Sequence, residues 1–239
     1  MNDHAARSPI GTTVSARSLQ DVAYHDLKRS IITLERAPGS RLPLDEVSEQ
    51  LGVSHMPVRQ AILRLAGEGF VDSIAHHGSR VRPLSFEDLE VIQSVREGIE
   101  CRLTYLGAKS ADPSVIAKLE EIIQSIAEDP AGTKDFDRLW ILSAEFRDVL
   151  YGTADRPELL ELCHTWRERL ERYIRAGFDT STNEQYVEML ESILDHCRSG
   201  RPDEAEAVTR ASIRLTLDVW ATWRDQADTS VPGPAPQPS

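Results

Sequence analysis

Cysteine is scarce in this 239-residue chain: Cys101, Cys163 and Cys197 are the only three. They are far apart and odd in number, and no pair has metal-motif spacing, which argues against a disulfide framework and against a cysteine-ligated zinc site. Each falls in a helical pattern among apolar residues, the setting of a buried, reduced thiol in a cytoplasmic protein. Long apolar runs are missing as well. Without a secretory h-region or a stretch long enough to span a bilayer, neither export nor a membrane partner is expected. The sequence also lacks a phosphate loop, a Ser/His/Asp set and paired inward carboxylates placed for acid/base work, so it offers no starting point for an enzyme mechanism. Finally, there is no overall positive charge: the net formal charge is −12.

That charge is unevenly placed. Residues 1–83 hold 10 Lys and Arg against 9 Asp and Glu, whereas residues 84–239 hold 17 against 30. The acidic part repels nucleic acid, so only the amino-terminal part is a plausible DNA surface. Even that part is barely basic, so affinity for DNA must rest on locally placed charge and on two copies acting together.

The segment from Leu44 to Leu65, LDEVSEQLGVSHMPVRQAILRL, carries the most information. Leu44, Val47 and Leu51 have the spacing of one buried helical stripe. Gly52 comes next, where the chain must turn, and glycine takes positive φ at little cost. Ser54 is placed to offer a side-chain oxygen to the free amides of a second helix. Pro57 falls in that helix's first turn, where its missing N–H removes no internal hydrogen bond. Val58, Ile62 and Leu65 then face inward, which turns His55, Met56, Arg59, Gln60 and Arg64 outward. Two short helices around a tight turn (44–63) make a helix-turn-helix, whose second helix enters the major groove. Arg and Gln can bond base edges bidentately, and Met56 suits a thymine methyl. A solvated face on an ordinary amphipathic helix is the alternative for these residues taken alone.

The residues after Leu65 favour DNA. Glu68-Gly69 ends the helix, Phe70–Ile74 and Ser79–Arg82 read as short strands, and His76, His77, Gly78 and Ser79 supply turn chemistry between them. A basic hairpin directly after a helix-turn-helix is a wing, with His77, Gly78 and Arg80 as candidate contacts and Arg82 adding charge. After Pro83 only long helical patterns remain, at Phe86–Ser110, Ser114–Glu128, Lys134–Gly152, Pro157–Ala176, Asn183–Ser199 and Pro202–Ala227. Ser85 is a cap for the first, and Ser181 with Glu184 forms a capping box for the fifth. Six amphipathic helices with short connections predict an antiparallel bundle. The fold class is thus mainly α: a winged helix-turn-helix at residues 16–84, then an all-α bundle at 85–227, flanked by tails at 1–15 and 228–239 with disordered composition.

Within the bundle, polar residues interrupt the apolar stripes. Arg96 lies among Leu89, Ile92, Ile99, Leu103 and Leu106; Ser143 and Arg147 lie among Phe136, Leu139, Phe146 and Leu150; Ser212 lies between Val208 and Leu215. An unpaired buried charge is costly and Arg does not neutralise itself, so each arginine needs an anion. Two sources are open. One is internal, Arg96 with Glu100 on its own helix and Arg147 with a neighbouring acid; the other is a bound carboxylate or phosphate, with Ser143 and Ser212 as hydrogen-bonding walls and Tyr186 and Trp166 lining an apolar remainder.

A known family resembles this arrangement. A helix near Leu19–Leu34, the Ala37-Pro38-Gly39 turn, Leu51-Gly52-Val53-Ser54, Pro57-Val58-Arg59, Leu63-Arg64-Leu65 and Gly69-Phe70 resemble a GntR-type winged helix, with Gly78 at the wing-tip glycine. The resemblance implies operator contacts at His55, Met56, Arg59 and Gly78. The family usually has Arg in place of His55 and a small hydroxyl residue in place of Met56, and a neutral His does not fork onto guanine as Arg does. The six-helix part resembles the FCD effector domain of the FadR-type branch, so the likeness runs from about Ala16 to Ala227. Many FCD domains hold a metal through an Asp and three His; the matching positions here are Ser143, Arg147, Leu190 and Ser212, none of them a good divalent-metal ligand.

The expectation is therefore a cytoplasmic transcriptional repressor that binds an inverted-repeat, double-stranded operator as a homodimer. It uses no metal or cofactor and responds to a small anionic effector, a carboxylate, held by Arg96, Ser143, Arg147, Leu190 and Ser212. An architectural DNA-binding protein without effector, or a helical-bundle enzyme, is the competing reading.

Overall fold

A computed structural model describes residues 16–74, 78–128, 135–177 and 180–228. The chain divides into two units between Arg82 and Pro83. In the first unit, α1 (Ala16–Ile32) buries Ala23, Tyr24, Leu27 and Ile31, the three- and four-residue spacing of a single stripe. Helix α2 (Leu44–Leu51) ends at Gly52, whose φ of +64° lies in the left-handed region that favours glycine. Helix α3 (His55–Gly67) buries Val58, Ala61, Ile62 and Leu65 against Leu27, Val47 and Phe70 in one core.

Ser54 occupies the N-cap position of α3 with extended backbone, yet its side chain makes no cap hydrogen bond. An N-cap oxygen normally accepts from the second or third helical amide. The third residue here is Pro57, which has no N–H to give.

The wing is a pair of antiparallel strands, β1 (Val71–Ile74) and β2 (Gly78–Val81), in the register Val71↔Val81, Asp72↔Arg80, Ser73↔Ser79 and Ile74↔Gly78. Gly78 and Ser79 thus belong to β2 and not to the turn, because Ile74 pairs with Gly78 and leaves residues 75–77 as the connection. Gly78 enters the strand at φ +80°, again a glycine conformation. Phe70 is not in β1: its N–H donates to Leu65 O at 2.9 Å and closes the end of α3. The sequence pattern did not reveal that residues 39–42 run beside β2. Leu42 N–H donates to Ser79 O and Val81 N–H to Ser40 O, both at 2.8 Å, with a bridge between Arg41 and Arg80.

The second unit holds α4 (Phe86–Ser110), α5 (Pro113–Ala127), α6 (Phe136–Gly152), α7 (Pro157–Ala176), α8 (Thr180–Arg198) and α9 (Pro202–Asp228). Ser85 caps α4 by accepting from Asp88 N–H. Asp112 caps α5 through the Ser114 and Val115 amides, which starts that helix at Pro113. Asp135 caps α6 through Arg138 N–H, so that helix begins at Phe136 instead of Lys134. Helix α8 runs back to Thr180, ahead of the expected start at Asn183; the Ser181 side chain of the expected capping box lies outside the described residues.

The bundle interior has two apolar clusters. The larger joins Leu103, Leu119, Ile122, Phe146, Leu150, Leu190 and Leu194; the smaller joins Leu89, Ile92, Leu170, Tyr173 and Trp220. On α4 the buried polar residues Arg96 and Glu100 fall between Ile92 of one cluster and Leu103 of the other. Gly107 lets α4 and α6 touch backbone to backbone: a Cβ there would run into Leu150 O. All three cysteines are free and buried. Burial pushes their thiols up, Cys101 and Cys197 to about 11 and Cys163 to about 12, so they stay protonated and inert.

Candidate nucleic-acid interface and bundle cavity

Helix α3 presents a continuous outer face of His55, Met56, Arg59, Gln60 and Leu63. The two apolar members are well exposed, Met56 at 65% and Leu63 at 52%. Leu63 was not singled out from sequence, although its place one helical turn beyond Arg59 and Gln60 was a usable signal. Among the described residues Arg59 has no ion pair or hydrogen bond, so its guanidinium is available to an incoming acceptor. His55 Nε2 lies 3.2 Å from Asp45 Oδ1, a contact that ties the start of α3 to α2.

Arg64 stands apart from this group. Its guanidinium carbon sits 3.6 Å from the centre of the Tyr24 ring and its Nε is 3.2 Å from Glu68 Oε1. Glu68 also takes Tyr24 OH at 2.8 Å and Lys28 Nζ at 3.0 Å. Burial alone would raise the Glu68 carboxyl, but these donors outweigh it and hold it below the ordinary range. Arg64 thus holds α1 to α3, a set of contacts that its outward helical position did not reveal. Arg80 lies on β2 opposite Asp72, and Arg82 pairs with Asp72 at 3.8 Å. His77 lies outside the described residues.

In the bundle, a cavity of about 110 Å³ opens among α4, α6, α7, α8 and α9. Arg96, Ser143, Arg147 and Ser212 all reach its wall, and so does Tyr186. Leu190 does not. It is buried in the larger apolar cluster, because its place on α8 faces α4 and α5 core residues such as Leu103 and Leu119. Trp166 is not on the wall either; its ring lies under the Arg169 guanidinium, 4.5 Å from centroid to Cζ.

Both arginines use the same buried acid. Arg96 Nε is 2.5 Å from Glu100 Oε1, and Arg147 Nε is 3.3 Å from Glu100 Oε2. Tyr151 OH donates to Glu100 Oε2 at 3.0 Å. Burial pushes the Glu100 carboxyl up, but Arg96 and Arg147 outweigh it and keep it below the ordinary range, hence ionised. Arg96 Nη1 donates to Gln93 Oε1, and Arg147 Nη1 donates to Tyr186 OH. Neither Arg96 Nη2 nor Arg147 Nη2 has a hydrogen-bond partner among the described residues. The internal pairing foreseen for Arg96 is present, and Arg147 reaches across from α6 to share it. The sequence signal was Glu100, an acid four residues after a stripe arginine.

The serine walls are less polar than expected. Ser143 Oγ donates to Trp140 O at 3.0 Å and Ser212 Oγ to Thr209 O at 2.8 Å. Their hydrogens are spent on their own helices, which leaves only acceptor lone pairs toward the cavity. A third arginine on the wall, Arg167, is paired with Asp148 through both nitrogens at 3.0 and 3.2 Å.

A divalent metal does not fit the four positions that the FCD likeness singles out. A guanidinium is itself a cation, a leucine has no donor, and serine hydroxyls alone are poor ligands. Among the described residues no three His, Cys, Asp or Glu side chains come together in a metal-binding group, and no helix is long and apolar enough to cross a membrane.

Known proteins match both units. The family model described as bacterial regulatory proteins, gntR family, matches residues 19–81, and the FCD domain model matches residues 91–215. The chain is 28% identical over 183 residues to the Nta operon transcriptional regulator of Aminobacter aminovorans, covering 76% of this chain and 84% of that protein. It is 27% identical over 190 residues to the HTH-type transcriptional repressor RspR of Escherichia coli K12, covering 79% and 81%. The solved structure of E. coli McbR/YncC has a like fold, with a TM-score of 0.70 at 21% identity over 86% of this chain and 99% of that one. These relatives are transcriptional regulators and not enzymes. With the helix-turn-helix and wing in one unit and a polar-walled helical cavity in the other, the chain belongs to the GntR family of bacterial transcriptional regulators and carries an FCD effector-binding domain.

Proposed function

We propose that this regulator is a repressor that binds an inverted-repeat operator as a two-fold dimer, and that a small anionic metabolite, a carboxylate, controls it from the bundle cavity. The observation that carries the effector reading is the sharing of Glu100 by two buried arginines, which leaves one positive charge uncompensated beside a cavity. A buried charge of that kind is costly until an anion meets it. The operator reading rests on the exposed and unpaired Arg59 between Met56 and Leu63. Dimerisation is argued from charge, since a single near-neutral winged helix has weak attraction for phosphates and reads few bases. Two copies related by a two-fold axis impose the same symmetry on the operator. Of the sites foreseen from sequence, His55, Met56, Arg59, Gln60, Gly78 and Arg80 stay in the DNA-facing set, with Arg96 and Arg147 in the effector set.

An effector regulates only by binding one dimer arrangement better than another. Arg147→Ala is therefore expected to remove the effector response in an operator-release assay and to keep operator binding itself. A variant that still responds would reduce Arg147 to a structural partner of Glu100. Footprinting tests the dimer: two protected half-sites related by symmetry are expected, and a single protected half-site with a monomer in solution would refute it.

A further inference from the structure

The count of charges around the cavity and the chemistry of its remaining wall narrow the effector further. Arg96 and Arg147 carry two positive charges and Glu100 one negative charge, while Arg167 and Asp148 cancel each other. The cluster therefore holds a single net positive charge. A ligand with one negative charge makes it neutral; a ligand with two leaves the buried site negative, with no second cation to answer it. Besides the two free Nη2 groups and the Tyr186 hydroxyl, Asn183 and Thr216 bring an amide and a hydroxyl to the wall. The two serine hydroxyls donate to their own helices, and Trp220 Nε1 donates to Tyr173 O at 3.0 Å. The body of the cavity is apolar and aromatic, with Leu139, Trp140, Leu170, Leu215, Val219 and Trp220 around it. Its volume of about 110 Å³ is close to the ~150 Å³ of a dry apolar cavity that takes up benzene.

We infer that the cavity selects small carboxylates with a single negative charge and an apolar body of about one ring or a short branched chain, the carboxylate lying against Arg147 and Arg96. This rests on the reading of the cavity as an anion site and adds charge number and size to it. Di- and tricarboxylates are the ligands it rejects, by charge.

Calorimetric titration of the full-length protein tests this with three compounds built on one ring: benzoate, phthalate and benzyl alcohol, which carry one, two and no negative charges at neutral pH. A branched-chain probe, 3-methylbutyrate, is titrated beside them. Saturable binding is expected for benzoate or 3-methylbutyrate, with phthalate and benzyl alcohol each about tenfold or more weaker than benzoate. Arg147→Met, which makes the cluster neutral, is expected to lose the monocarboxylate. Glu100→Gln, which raises the net charge by one and keeps the side-chain shape, is expected to move the preference toward phthalate by about tenfold. Circular dichroism melts of both variants establish that they fold. If phthalate binds the unchanged protein as tightly as benzoate, and Arg147→Met abolishes both, the single-charge inference is wrong and the anion site stands. If benzyl alcohol equals benzoate, or Arg147→Met changes nothing, the anion site itself is wrong. Failure of both monocarboxylates to bind overturns the inference.

Discussion

The arginines of the two units are used in opposite ways. Arg59 of the winged helix is exposed, unpaired and available, whereas Arg96 and Arg147 of the bundle are buried and already share a carboxylate. On a surface, an unpaired guanidinium costs nothing because water solvates it, so availability is read from the absence of partners. In an interior every guanidinium must have a partner, and availability is read from charge balance instead. A third case separates the two. Arg64 lies on the same exposed helix as Arg59 yet is committed to Tyr24 and Glu68, so exposure of the position and availability of the group are different properties.

Removing the shared acid puts this contrast under the greatest stress. Glu100→Ala leaves two buried guanidiniums without their carboxylate and is expected to cost about 3–5 kcal/mol in denaturant unfolding, the range for a broken buried ion pair. Glu100 also predicts a pH dependence. Its carboxyl is held below its ordinary value in the folded protein, so its stabilisation is fully present above the ordinary carboxylate range and lost as pH falls through the lower folded value. The stability difference between the unchanged protein and Glu100→Gln is therefore expected to shrink on acidification. A difference that grows instead would show that Glu100 is protonated in the native state.

Gly107→Ala is next in size, since the new methyl group meets the Leu150 carbonyl carbon and oxygen, which cannot swing aside as a side chain would. A loss of about 1–3 kcal/mol is expected, measured by thermal or denaturant unfolding. It tests whether the close approach of α4 and α6, on which the Arg96–Glu100–Arg147 arrangement depends, tolerates adjustment.

The two arginines of α3 give the smaller and more diagnostic effects. Arg59→Ala is expected to weaken operator binding by about 1–3 kcal/mol in a mobility-shift or anisotropy assay, with unfolding stability changed by less than about 0.5 kcal/mol. Arg64→Ala is expected to reverse that pattern. It loses the stack on Tyr24 and one of the ion pairs of Glu68, at about 0.5–1 kcal/mol of stability, while base discrimination is kept. Equal losses of operator affinity for both variants would show that Arg64 leaves Tyr24 to reach DNA.

Much of the first unit was legible in sequence because its signals are local. The spacing of Val47, Val58, Ile62 and Leu65, the glycine at 52 and the proline at 57 all act within a few residues of themselves. The exceptions were interactions between such signals: Pro57 removed the amide that Ser54 was expected to cap, and Ile74 pairing with Gly78 drew Gly78 and Ser79 out of the turn and into a strand. In the bundle, helix lengths and the polar interruptions of the stripes were legible for the same reason. The partner of Arg147 was not, since Glu100 is on another helix and no local rule joins residues so far apart in the chain. Leu190 shows the converse error, a position carried over by likeness that the packing of α8 turns into the apolar core.

The order of residues was enough to set where the helices lie, that a helix-turn-helix with a wing precedes a six-helix bundle, and that arginines and serines stand on apolar stripes. Those features come from backbone geometry and from the period of hydrophobic residues, which are properties of short stretches. Which charges meet was settled by packing alone. Packing brought Arg96, Glu100, Arg147 and Tyr151 into one buried cluster, turned the serine hydroxyls onto their own helices, and bound Arg64 to Tyr24. Ion pairing and cavity shape depend on distances between elements remote in the chain, and the fit of side chains between helices sets those distances.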